Sequence, residues 1–154
     1  MDYVLSEAGF GADRVAEKFI YIMGRKPGRR LSAVVIVATV RAMKYHGGAD
    51  LKTITTENVE ALAKGMVNLE RHVENVQKNY GIPCVVSINK FNSDTKAELD
   101  LLYDRMKTMG VPVVLAPPWG ARGHGPAPPA HIAAGPPVHA PASQFSRRPR
   151  AALV

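Results

Sequence analysis

The stretch Ala33–Thr39, AVVIVAT, decides the fold of this 154-residue chain. It is a β-branched run with no polar alternation. A strand with one wet face would alternate, so this one is expected to be buried on both faces, as in a parallel sheet. Two further runs share that character: Cys84–Ile88 (CVVSI) and Val111–Ala116 (VPVVLA). Between them lie helical periods. Thr55 and Thr56 offer an N-cap, and Glu57 and Glu60 suit the first-turn dipole. Val59, Leu62, Met66, Leu69, Val73 and Val76 follow at spacings of three and four, one stripe of a long helix. Gly81 suits its stop, and Pro83 stands just beyond. Thr95 and Glu98 form a capping box for a second helix, with Leu99, Leu102, Met106 and Met109 as its buried face and Gly110 as its stop. Buried strands separated by helices predict an α/β fold, a partial doubly wound (Rossmann-like) parallel sheet with a βαβαβ core. Ahead of it, Ala12–Met23 reads as a helix entered through the turn Glu7–Gly11, and Arg25–Arg30 reads as a loop.

The composition changes abruptly near Ala116. The segment 117–154 holds nine of the 12 prolines, four arginines, no acid and three of the five histidines. Proline fixes φ and removes donors, so this tail is expected to be disordered or loosely extended. His124, His131 and His139 stand in Pro-rich coil with no cysteine or carboxylate beside them, a poor metal tract. Three segments are therefore expected. They are 1–32, ending a preceding domain; 33–116, the α/β unit; and 117–154, the tail.

Charge and cysteine exclude several functions. The formal net charge of +7 suggests nucleic acid, but the first 116 residues carry 16 Lys/Arg against 13 Asp/Glu. That is an ordinary solvated surface with no basic run interleaved with aromatics, so no nucleic-acid partner is expected. The single cysteine, Cys84, sits in a buried strand, reads as a small core residue and fits a reducing compartment. No basic n-region precedes an apolar stretch, and Ala33–Ala38 is far below the roughly 20 residues of a spanning helix. The chain reads as soluble and cytoplasmic, with no membrane partner.

Ligands of an open parallel sheet bind beyond the carboxyl ends of its strands. Three segments emerge there: Arg41–Asp50, Asn89–Asp94 and Pro117–Gly120. The first contains Lys44, Tyr45, His46, Gly47 and Gly48, read as a polar, flexible stretch. The second exposes Phe91 and the third Trp119, the only tryptophan. On neighbouring strands these two rings either hold a flat heterocycle between them by offset stacking or each pack on their own loop. The Asn89–Asp94 loop is similar to the guanine-reading loop of GTPases, but its Asp comes five residues after the Asn, and no Gly-x-x-x-x-Gly-Lys-Ser/Thr loop accompanies it. Asp94 reads instead as part of the helix entry. Gly9–Phe10–Gly11 fails the dinucleotide fingerprint, with Arg14 at the final glycine position. No nucleophile–base pair can be assembled, and catalytic residues are not assigned.

Five stretches carry a resemblance: EAGFGAD at 7–13, AEKF at 16–19, VATVRAMKYHGG at 37–48, ENVEALAKGMVNLERHVENV at 57–76 and INKFNSDTKAEL at 88–99. At this spacing they strongly resemble formate–tetrahydrofolate ligase (formyltetrahydrofolate synthetase), almost without interruption from Asp2 to about Leu115. The resemblance implies a cytoplasmic enzyme of one-carbon metabolism that joins formate to tetrahydrofolate at the expense of ATP, through formyl phosphate. It implies Mg²⁺ on the nucleotide, often a monovalent cation as activator, and a homotetramer of much longer three-domain subunits. The phosphate loop of that family lies N-terminal to anything in this sequence, so the chain is expected to be a fragment, inactive alone. The alternative is a non-catalytic binding or assembly module of the same fold.

Residue by residue, Phe91 matches the family phenylalanine that stacks on the pterin-type ring. Trp119 stands at the spacing of the family tryptophan on the other side. Gly9, Phe10 and Gly11 match the active-site turn near the nucleotide and formyl phosphate. The sequence also departs from the family. Arg14–Val15 replaces an aliphatic–glycine pair, Asn92 often corresponds to proline, and after WGARGHG the expected amphipathic helix gives way to the Pro/Ala/Arg-rich tail. The loss of acids and helical period there motivates a frameshift near Pro117–Gly123. Translation of the encoding nucleic acid in the other two frames tests it, because a frameshift requires one of them to restore the helix.

Overall fold

A computed structural model of the chain describes residues 4–8, 12, 16–23, 30–116 and 150–153. The elements run β1 Val4–Ser6, α1 Glu17–Met23, β2 Arg30–Ala38, α2 Val40–His46, α3 Val59–Glu74, a π-helical turn Asn75–Asn79, β3 Cys84–Asn89, α4 Lys96–Thr108, β4 Val113–Ala116 and β5 Arg150–Leu153. The strands form one sheet in the order β1-β5-β2-β3-β4, and every pairing is parallel.

The expected αβ alternation is present in β2, β3 and β4, which pair in chain order. Val34 lies opposite Cys84 and Ala38 opposite Ile88, while Val86 lies opposite Val113 and Asn89 opposite Ala116. The central strands are buried over most of both faces, with Val37 of β2 left exposed. Val34, Ile36, Cys84, Val86 and Ile88 join a single cluster with Leu62, Met66, Leu69 and Val73 of α3 and Leu99, Leu102 and Met106 of α4. Ala33, Val35, Val85 and Ser87, which point the other way by the period of two, are buried as well. The helices α2, α3 and α4 thus cover one face. Two chain-consecutive right-handed crossovers running in one direction across a sheet lie on the same side.

The helix limits differ in detail from expectation. The long helix starts at Val59 rather than at the threonines, because the Asn58 side chain accepts the Ala61 N–H and makes a better-placed cap. Of its apolar stripe, Val59 is 37% exposed while Leu62, Met66, Leu69, Val73 and Val76 are buried. The capping box at Thr95 and Glu98 forms in full. Gly81 and Gly110 take φ of 63° and 69°, the left-handed conformation in which a helix stop favours glycine. The expected helix 12–23 is described as α1, Glu17–Met23.

Two expectations are corrected. The first concerns Lys44–Gly48, read as a polar, flexible stretch. Lys44, Tyr45 and His46 belong to α2: Thr39 Oγ1 accepts the Ala42 N–H at 3.2 Å to start it, and Val40 and Met43, three apart, are buried. The second concerns the tail. Its last residues, 150–153, form β5 between β1 and β2, with a register shift between Leu31 and Ala33. This stretch comes after the last proline, so the barrier to pairing that governs the rest of the segment does not reach it. The remainder, 117–149 and Val154, lies outside the described residues.

α2 and α3 approach until their backbones touch. A Cβ on Gly65 would stand 1.7 Å from the Met43 carbonyl oxygen, and one on Gly47 would stand 1.7 Å from the Ala61 carbonyl oxygen. Glycine at both positions is what allows the crossing. No described helix is long and apolar enough to cross a membrane.

Candidate functional site

The carboxyl ends of β2 and β3 lie side by side, and the two segments that leave them build the site. After β2, the Thr39 cap starts α2 and brings Arg41 into its first turn. After β3 comes the turn Lys90–Asp94, which Asp94 closes. Its Oδ2 accepts the Phe91 N–H at 2.8 Å, and its own N–H donates to the Phe91 carbonyl at 3.0 Å. Thr95 then caps α4, so the turn is fixed at both ends.

Arg41 joins the two segments. Its guanidinium carbon lies 4.2 Å from the centroid of the half-buried Phe91 ring, and its Nη2 donates to Ser93 Oγ at 3.1 Å. The first contact is a cation–π interaction, and the second holds the guanidinium in place over the ring. Two atoms at this edge are left over. Arg41 Nε and Asp94 Oδ1 are buried without a hydrogen-bond partner among the described residues. Such groups are few in folded proteins and mark places where something further binds or strain is held.

Beneath this edge sits a buried ion pair. Lys44 Nζ lies 2.9 Å from Glu98 Oε1, with both side chains fully buried, and also donates to the Thr56 carbonyl at 3.0 Å. Glu98 Oε1 accepts the Asn58 N–H at 3.0 Å and Oε2 accepts the Thr95 N–H at 3.1 Å. One carboxylate therefore ties α2 to the starts of both α3 and α4. Burial pushes the Glu98 carboxyl up, but the Asn58 N–H, the Lys44 ammonium and the Thr95 N–H together hold it below its usual value.

Of the residues singled out from sequence, Phe91 stands at the expected strand edge. Trp119 and the turn Gly9–Phe10–Gly11 lie outside the described residues. Asp94 belongs to the helix entry and turns one carboxylate oxygen onto its own loop. Tyr45 and His46 are exposed on α2, edge to face at 6.0 Å, whereas Lys44, read with them as polar and flexible, is wholly buried. Sequence reasoning does not single out Arg41. Its partners lie 50 and 52 positions away, and only its place two residues after a cap threonine at a strand end hints at a role. Among the described residues no three His, Cys, Asp or Glu side chains gather as a metal site. Open recesses along Tyr103–Val113 and along Arg71–Asn79 lie away from this edge.

Comparison with known proteins agrees over most of the chain. A family model described as Formate–tetrahydrofolate ligase matches residues 1–134, past the change in composition at 117. The chain is 60% identical over 124 residues to the formate–tetrahydrofolate ligase of Methylibium petroleiphilum, covering 80% of this chain and 22% of that protein. It is 56% identical over 130 residues to the enzyme of the same name from Granulibacter bethesdensis, covering 84% of this chain and 23% of the relative. The chain thus spans less than a quarter of the length of these relatives. A match of that extent and identity leaves one assignment: the chain belongs to the formate–tetrahydrofolate ligase family.

Proposed function

We propose that this chain is a segment of a formate–tetrahydrofolate ligase and contributes part of the wall that holds tetrahydrofolate. The observation that carries this reading is Phe91, a half-buried aromatic ring at the carboxyl end of a parallel strand, held from behind by Arg41. One ring face faces the guanidinium and the opposite face is the one for a flat heterocycle. Trp119 supplies the second ring of the sandwich, and Gly9, Phe10 and Gly11 line the turn near nucleotide and formyl phosphate. The whole enzyme would be a cytoplasmic homotetramer with a doubly wound nucleotide-binding layout, ligating formate to tetrahydrofolate through formyl phosphate to give 10-formyltetrahydrofolate.

ATP and Mg²⁺ do not fit the residues in hand. The sequence holds no Gly-x-x-x-x-Gly-Lys-Ser/Thr loop, and the described residues gather no metal-ligating cluster. Phosphoryl transfer needs such groups to hold the nucleotide, so the segment alone is inactive and the nucleotide and any activating monovalent cation belong to other parts of the enzyme. The family match runs to residue 134, so a frameshifted continuation is read only beyond it.

A thermal melt of the chain with and without tetrahydrofolate tests the site. Binding to the folded form alone raises the midpoint as ligand concentration passes Kd. The expected result is a rise that Phe91→Ala abolishes. An unchanged midpoint at millimolar ligand, or a rise that survives Phe91→Ala, rejects the folate wall.

A further inference from the structure

We infer that Arg41 is a positioning residue for the folate ring, acting through Phe91, and that it makes this wall selective for the electron-rich reduced pterin. The inference rests on the folate reading of Phe91 and goes beyond it. Three observations on Arg41 carry it. Its guanidinium stacks on the Phe91 ring at 4.2 Å, so that face is closed to any ligand. Its Nη2 is tethered to Ser93 Oγ at 3.1 Å, in the same turn as Phe91, so ring and guanidinium move together. Its Nε is buried with no hydrogen-bond partner among the described residues, a cost that packing on the ring alone does not explain.

The turn that carries Phe91 is fixed separately. Asp94 holds the Phe91 backbone through two hydrogen bonds, at 2.8 and 3.0 Å, which sets where the ring begins. Backbone anchoring leaves the side-chain torsions free. A phenylalanine at a strand edge has staggered alternatives that would swing the ring out of the ligand's plane. Arg41 removes that freedom from one side. A guanidinium is planar, always charged and weakly hydrated, and so lies flat on an aromatic face in a way an ammonium does not.

The cation has a second effect. Held over one face, it draws π density toward itself and makes the opposite face less negative. An electron-rich ring then stacks on that opposite face with less repulsion between the two quadrupoles. Tetrahydropterin, with its amino-substituted pyrimidine and reduced second ring, is electron-rich. The fully oxidised pterin of folic acid is electron-poor. Arg41 should therefore matter more for the reduced than for the oxidised ligand.

Anaerobic calorimetric titration of the full chain with tetrahydrofolate and, separately, with folic acid tests this, using Arg41→Met, Phe91→Leu and the double variant. Far-UV circular dichroism and the unliganded melt fix a temperature at which every variant is folded. The expected result is that Arg41→Met weakens tetrahydrofolate about fivefold, the scale of a partly desolvated cation–π contact, and folic acid less. In the double variant Arg41→Met should add nothing to Phe91→Leu, since a residue acting through the ring has no effect once the ring is gone. Arg41→Lys should restore part of the loss, because the charge returns without the planar fork. Wild-type affinity in Arg41→Met, additive losses in the double variant, or equal losses for both ligands would overturn the role. A wild-type chain that binds neither ligand sinks the folate wall itself, and this role with it.

Discussion

The Lys44 ammonium lies 2.9 Å from the Glu98 carboxylate across 54 residues of sequence, and neither side chain touches solvent. The two partners are not equivalent. Removing Lys44 leaves Glu98 with the Asn58 and Thr95 N–H groups still donating to it. Removing Glu98 leaves a buried ammonium with no counter-charge and only the Thr56 carbonyl as acceptor, and frees both N–H groups. Breaking a buried pair from one side costs about 3–5 kcal/mol. Urea unfolding should place Lys44→Met at the low end of that range and Glu98→Leu at or above the high end. The double variant should recover part of the loss, since no charge is left unpaired. Equal costs for the two single variants would refute the asymmetry.

The same carboxylate sets an acid limb. Its folded pKa is depressed below 4.5 by the Asn58 N–H, the Lys44 ammonium and the Thr95 N–H, which outweigh burial. A depressed carboxyl contributes stability that is fully present above the unfolded value and is lost as pH falls through the folded one. Stability should therefore decline as pH drops below 4.5. Glu98→Gln should be less stable than the parent at neutral pH but lose less on acidification. Parallel stability–pH curves for the two proteins would remove Glu98 as the source.

Gly65 stands mid-helix, where alanine would normally add about 1 kcal/mol through helix propensity. Here the added carbon would stand 1.7 Å from the Met43 carbonyl oxygen, a backbone atom that cannot rotate aside. The clash decides the sign. Gly65→Ala should destabilise by about 3 kcal/mol, at the upper end of overpacking costs. A rise in the unfolding midpoint would mean that α2 and α3 separate without penalty.

Much of this architecture is legible from local pattern, and the misses share a cause. The strands β2, β3 and β4 announce themselves as unalternating apolar runs, and Gly81 and Gly110 as helix stops, because those signals depend on a few adjacent residues. Lys44 reads as polar and mobile, since nothing within its own segment reveals a carboxylate on α4. Arg41 gives no signal for the same reason: an arginine in the first turn of a short helix looks solvated until Phe91 is brought beneath it. Gly65 is equally silent because its partner is a carbonyl on another helix. Phe91 comes from its place after a strand, a topological argument that locates it at the end of β3 but does not foresee the Arg41 contact on its ring.

Cys84 offers a measurement of the core rather than of the site. Burial pushes its thiol up to about 11 from 9.0. The folded form keeps the proton that the unfolded form releases, so stability should fall as pH rises from 9 toward 11 and level off beyond. The loss is on the order of 3 kcal/mol for a shift of that size. Cys84→Ala should flatten this alkaline limb. In native buffer at pH 8, iodoacetamide should leave Cys84 unlabelled until urea unfolds the chain. Rapid labelling of the native protein would contradict the burial.

Asp94 separates the shape of the Phe91 turn from its charge. Its Oδ2 accepts the Phe91 N–H at 2.8 Å, while Oδ1 is buried with no partner among the described residues. Asp94→Ala removes the acceptor and leaves a partly buried N–H orphaned, a loss of about 1–3 kcal/mol. Asp94→Asn keeps a carbonyl oxygen for the Phe91 N–H but places an amide where the orphaned oxygen stood. If that oxygen faces a donor in the complete site, the amide's hydrogens oppose it, and Asp94→Asn should fold near parental stability yet weaken tetrahydrofolate. If the turn geometry is all that matters, Asp94→Asn should bind like the parent and only Asp94→Ala should lose affinity. Urea unfolding and tetrahydrofolate titration on the same two variants decide between these. Parental stability in Asp94→Ala would show that the Phe91 turn holds its shape without the carboxylate.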